Sequence, residues 1–248
     1  MSGHSKWANI KHKKAKADAA KGANFAKFSR EIIISAKLGG GDPAANFRLR
    51  TAIEKAKAGG LPNDTIKRAI EKGAGASGSD NFEEITYEGY GPGGVAVFIE
   101  AATDNRNRTA GDIRSFFSKF GGNLGENGCV GWIFEPCGNL FFDKSNDFEK
   151  LLEDGMNFDI NDVEEDDDQY KVVTSVDNFQ KAVEGYESLG YKILSSELTR
   201  NPSNSVEITD LEIAKKLLLL LERIEEHDDV QNVYSNCDIP DEIVEQIG

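Results

Sequence analysis

Apolar residues recur every three or four positions through the first 75 residues of this 248-residue chain, and nearer every second position over much of the remainder. The first spacing places side chains on one face of an α-helix, the second on one face of a β-strand. Phe25, Phe28, Ile32 and Ala36 predict a helix over 9–37. Lys14 and Lys21 fall near its apolar arc, so its first half is expected to stand out as an arm. A second helix is expected from Asp42 as N-cap and Pro43 in the first turn to the stop at Gly59-Gly60, with Leu49, Ala52, Ile53 and Ala56 as its stripe. A third comes after Leu61-Pro62-Asn63, turns Ile66, Ala69 and Ile70 inward and stops at Gly73. The run GAGASGSDN at 73–81 reads as a flexible linker that lets the helices swing.

Beyond the linker, strands are predicted over 85–90 and 95–101 about the turn Gly91-Pro92-Gly93-Gly94, then a helix over 108–120 and a strand over 130–134. Next come a strand at 139–142, a helix at 148–156, a short acidic segment, a strand at 170–176, a helix at 179–189 and a strand at 192–198. Thr209 and Glu212 have the spacing of a capping box. They open a helix carrying Ala214, Leu217, Leu218, Leu221 and Ile224, and a last strand is read at 230–234. This order predicts an α+β protein: an N-terminal three-helix bundle over 1–75, followed by two α/β (ferredoxin-like) domains. The third domain, 137–205, is inserted into the second, 82–136 plus 206–248.

Charge changes the picture. The chain has net charge −14, yet through Lys72 it carries 16 Lys and Arg against 6 acids, leaving 13 basic and 37 acidic residues for the remainder. Phosphate is repelled by the second portion, so a polyanion has to meet the first. The candidate nucleic-acid contacts are His4, Ser5, Lys6, Trp7, Lys11, His12, Lys13, Lys14, Lys16, Lys21, Lys27 and Arg30, with Arg48 and Arg50 on the second helix. Lysines grip phosphate, and the Trp7 indole among them is placed to stack on a base or ribose. Asn105, Arg106, Asn107 and Arg108 form a candidate second contact; the plainer reading is a helix capped by Asn107 with local ion pairs.

Other chemistry finds little footing. Gly89, Gly91 and Gly94 match the dinucleotide fingerprint, but strand residues come next where a helix N-terminus is needed. The acidic run 164–168 lacks the alternating ligands and central glycine of a calcium loop and reads as a solvated turn. With three histidines, two of them in the basic arm, and no paired catalytic carboxylates, neither an enzyme, a metal, a cofactor nor a small-molecule substrate is expected. Three cysteines without CxxC spacing suggest reduced thiols. The longest apolar run, 217–221, is far short of the roughly 18 residues that span a bilayer, and no secretory signal opens the chain, so a cytoplasmic protein without membrane contact is expected.

The stretches GHSKWANIKHKK (3–14), GGGDP (39–43), LRTAIEKAK (49–57), YEGYGPGGVA (87–96), TDNRNRT (103–109) and GCVGWIFE (128–135) closely resemble the YebC/PmpR family, and the likeness runs over essentially the whole chain. The resemblance implies three domains and no metal, cofactor or catalytic residue. It also implies one of two roles. Family members are labelled transcriptional regulators that bind promoter DNA; mitochondrial relatives are translational activators, and bacterial members are linked to stalled ribosomes. The partners expected are therefore promoter DNA or ribosomal RNA in the ribosome.

Overall fold

A computed structural model describes residues 21–75, 82–165 and 169–247, with the backbone alone for 21–24. The predicted arm, and with it the first half of the 9–37 helix, lies outside the described residues. The described chain forms two compact units, one of them Trp132–Asn204.

Helices α1 (Lys21–Gly39), α2 (Phe47–Ala58) and α3 (Asn63–Ala74) share a core of Ile32, Ile33, Leu49, Ala52, Ile53 and Ile66. Two helix signals resolve differently from expectation. Helix α2 starts five residues beyond Asp42, because Asn46 is the better cap. Its Oδ1 accepts from Leu49 N at 3.1 Å while its Nδ2 donates to Ser35 and Gly40 carbonyls at 2.8 Å each, tying α2 to the end of α1. Asp42 instead makes a local turn, accepting from Ala44 N at 2.9 Å. Gly73 is not a stop but a contact point inside α3: a Cβ there would sit 2.3 Å from the Ile33 carbonyl oxygen. Only a bare backbone lets α3 approach α1 that closely.

The second part of the chain begins with β1 (Glu83–Tyr90), a 3-10 turn at Pro92–Gly94, β2 (Ala96–Thr103), α4 (Arg106–Phe120) and the short β3 (Asn123–Leu124). The strand expected at 130–134 is not one. Gly131–Ile133 is a 3-10 turn, and β4 runs unbroken over Phe134–Asp143. Pro136 is tolerated within it because β4 pairs with one neighbour only at that point, the other joining from Gly138.

Elements α5 (Phe148–Met156), β5 (Ile160–Glu165), β6 (Gln169–Thr174), α6 (Phe179–Ser188) and β7 (Ile193–Pro202) complete the unit Trp132–Asn204. Its antiparallel sheet has the order β5-β6-β4-β7 and, with the βαββαβ succession, is ferredoxin-like. Leu140, Phe142, Leu151, Val172, Phe179 and Tyr186 are buried in it. The acidic segment is part strand: Glu164 and Glu165 lie in β5 and pair with Lys171 at 2.9 Å and Lys144 at 3.1 Å.

The chain then returns through β8 (Val206–Glu207), α7 (Leu211–Glu225), β9 (Val230–Ser235), β10 (Cys237–Asp238) and α8 (Asp241–Ile247). Strand β9 adds to the first sheet, giving the antiparallel order β3-β1-β2-β9, and β8 pairs in parallel with β10. Ile99, Ile113, Phe117, Leu217, Leu221 and Val233 form the core between that sheet and helices α4 and α7. Asp210, not Thr209, caps α7, its Oδ1 accepting from Glu212 N and Ile213 N at 2.9 Å each. Cys129, Cys137 and Cys237 are free thiols. No described helix is long and apolar enough to cross a membrane.

Candidate nucleic-acid interface

Of the candidate contacts, His4, Ser5, Lys6, Trp7, Lys11, His12, Lys13, Lys14 and Lys16 lie outside the described residues. Lys21 is on the described backbone of α1. The remaining cations are engaged within the molecule. Lys27 Nζ donates to the Glu225 carbonyl, and Arg30 Nη1 donates to the Asp228 carbonyl. Arg30 Nη2 lies 3.2 Å from Asp229 Oδ1, and its guanidinium sits 5.6 Å from the Phe82 ring centre. Arg48 bridges Glu31 at 2.9 Å and Glu84 at 2.6 Å. Burial alone would lower its pKa, but hydrogen bonds and charge from both carboxylates outweigh that and raise it. Arg50 lies over the Phe47 ring at 5.1 Å. The bundle is thus docked on β1 and on the α7–β9 turn in place of the free swing expected of the linker, of which 76–81 lie outside the described residues.

The polar cluster at 103–109 shows why that docking point is firm. Asn105, rather than Asn107, caps α4, its side chain accepting from Arg108 N at 3.1 Å. Arg106 lies 3.7 Å from Glu83, and Asn107 is exposed. Arg108 reaches Asp104 at 2.8 Å and Asp229 Oδ2 at 3.0 Å. The same Oδ2 accepts from Thr109 at 2.7 Å and Thr103 at 3.2 Å. The Asp229 side chain is 2% exposed, so this charge lives on its four partners. Burial pushes its pKa up; the hydrogen bonds from Thr109 and Arg108 and the charges of Arg30 and Arg108 prevail and hold it below the usual carboxylate range. Asp229 N–H donates to His227 Nδ1 at 3.1 Å, which leaves the other ring nitrogen facing Asp112 at 3.2 Å. The cluster predicted as a second anion contact is therefore organised around an internal anion.

A depressed carboxylate pKa contributes stability above the unfolded value of about 3.9, and that contribution is lost as pH falls through the folded value. We expect wild type to exceed Asp229→Asn in urea midpoint at about pH 6, with the gap narrowing below about pH 4. A gap independent of pH would show that charge on Asp229 plays no part.

Sequence reasoning missed Glu88. Its side chain is buried, and its carboxylate accepts from Gly128 N at 2.7 Å, Val130 N at 2.8 Å and Gly131 N at 2.6 Å. The stretches 87–96 and 128–131 thus meet through one carboxylate; the available signal was an acid set among β-strand apolar residues. The loop that Glu88 holds leads into Trp132, whose side chain is 68% exposed. Among the described residues no cluster of three or more His, Cys, Asp or Glu is arranged to hold a metal ion.

Comparison with known proteins adds to this geometry. Residues 5–76 match the family model of the TACO1/YebC protein N-terminal domain, and residues 82–237 match that of the TACO1/YebC second and third domain. A protein of Dictyoglomus thermophilum named "Probable transcriptional regulatory protein" is 51% identical over 250 residues, covering 100% of both chains. One so named from Geobacter sp. strain M21 is 50% identical over 247 residues, again at 100% of both. The crystal structure of a conserved hypothetical protein from Aquifex aeolicus superposes with TM-score 0.83 at 46% identity, covering 95% of this chain and 98% of that one. By sequence over its full length and by fold, this chain belongs to the TACO1/YebC family.

Proposed function

We propose that this protein is a nucleic-acid-binding regulator of gene expression that acts on transcription through its basic N-terminal segment. The observation that carries the reading is the charge division: 8 cations against 1 acid in the first 30 residues of a chain whose net charge is −14. Such a division orients the molecule, bringing the lysines to phosphate and keeping the acidic remainder away. The names of the relatives support transcription as the process. With Lys27, Arg30 and Arg48 already holding internal partners, the phosphate contacts fall first to the lysines at 6–21.

A second reading, binding to ribosomal RNA in the ribosome, is favoured by one feature. Arginine is the usual reader of guanine edges; in the bundle Arg30 and Arg48 are paired with carboxylates, Arg50 lies on Phe47, and Arg68 Nε donates to the Asp64 carbonyl of its own helix at 3.2 Å. The cations before Arg30 are all lysine, which grips backbone without selecting bases. Competition separates the two. A labelled promoter duplex is expected to bind the protein in a salt-sensitive manner, to discriminate against scrambled duplexes, and to resist purified ribosomes at about 150 mM salt. Displacement by ribosomes, with co-sedimentation that disappears on removal of residues 1–20, would overturn the promoter reading in favour of the ribosomal one.

A further inference from the structure

We propose that the docking of α1 is an electrostatic clip that competes with nucleic acid for the same cations, so that the docked arrangement is a closed state of the binding surface. This rests on the nucleic-acid reading above and adds its regulation. Lys27, Arg30 and Arg48 donate to Glu225 O, to Asp228 O and Asp229, and to Glu84 respectively, and Lys37 Nζ donates to Phe82 O at 3.2 Å. Three of these four are the cations that the sequence offers to phosphate. The donor directions that fit a carboxylate also fit a phosphate, so a phosphate takes these donors of Arg30 and Arg48 only as Asp229 and Glu84 give them up.

Release costs the acceptors little. When Arg30 departs, Asp229 Oδ2 keeps Arg108, Thr103 and Thr109, and Oδ1, which Arg30 had covered, turns to water. The Glu84 side chain is 49% exposed and Asp228 lies at the surface, so water takes the vacated positions. Among the described residues beyond the linker, Phe82 packs partly buried against the bundle core, with the buried Ile34 on the same face. The ion pairs weaken with salt and yield to a polyanion presenting many phosphates at once. The clip thereby offers Lys27, Arg30 and Arg48 when a polyanion engages, and withholds them otherwise.

The test uses the full chain carrying Cys129→Ser, Lys27→Cys and Glu225→Cys, joined by a short cleavable bis-maleimide; Cys137 and Cys237 are buried. Binding of a labelled promoter duplex and of purified ribosomes is measured before cross-linking, after it, and after cleavage. The linked form is expected to bind at least about tenfold more weakly than the same protein unlinked, with recovery on cleavage. Independently, Glu84→Gln is expected to tighten binding about twofold to fivefold by loosening the clip. Equal affinity of linked and unlinked protein, or no gain in Glu84→Gln, overturns the clip while the nucleic-acid reading stands. Absence of binding in every form, wild type included, removes both.

Discussion

Replacement of Lys11, Lys13, Lys14 and Lys16 together by Glu is expected to abolish nucleic-acid binding while the described domains stay folded. Each lysine that neutralises a phosphate contributes about one unit of the dependence of log affinity on log salt, so four removals flatten that slope by about four. Reversal goes further than neutralisation, since four carboxylates then face the phosphates. The expected loss at low salt is more than about 10³-fold. Filter binding against salt concentration measures affinity and slope together, and circular dichroism reports the fold. Retained affinity with an unchanged slope would show that the arm is a solvated surface and nothing more. The variant discriminates well because the four positions precede the packed core of the bundle, which is built from Ile32, Leu49, Ile53 and Ile66.

The largest stability effect is expected at Glu88. Its two carboxylate oxygens satisfy three backbone amides, with Gly128 on Oε1 and Val130 and Gly131 on Oε2. Glu88→Ala removes the acceptor of three backbone donors, of which Val130 N is buried while those of Gly128 and Gly131 are open to partial hydration, at a cost of about 3 kcal/mol. Glu88→Gln is expected to cost roughly half as much. Its amide oxygen can serve Val130 and Gly131, but its NH₂ then faces the Gly128 N–H donor to donor. Urea unfolding followed by tryptophan fluorescence measures both. An Ala variant within about 0.5 kcal/mol of wild type would mean that the 128–131 loop finds other acceptors.

The two predictions fall on different kinds of residue, and that difference tracks how legible each was in the chain. Local pattern located the helices around Leu49 and Ile66, the hairpin around Gly91–Gly94, and the α7 helix through Leu217 and Leu221, because burying an apolar stripe depends on neighbours three or four residues away. It misplaced starts and stops by a few residues where two capping side chains competed: Asn46 prevailed over Asp42, Asn105 over Asn107 and Asp210 over Thr209. It misread Gly73 as punctuation, because the reason for a glycine there is the Ile33 carbonyl of another helix.

Composition and order along the chain were enough to establish the α+β class, the family and the separation of charge, since each is a property of the residues themselves. Which partner each cation takes was decided by tertiary structure alone. Lys27 and the Glu225 carbonyl it meets are 198 positions apart, and Arg30 and Arg108 converge on one buried carboxylate from different helices. Attraction between charges depends on distance in space and on exclusion of water, and neither quantity is written in the spacing of residues along a chain.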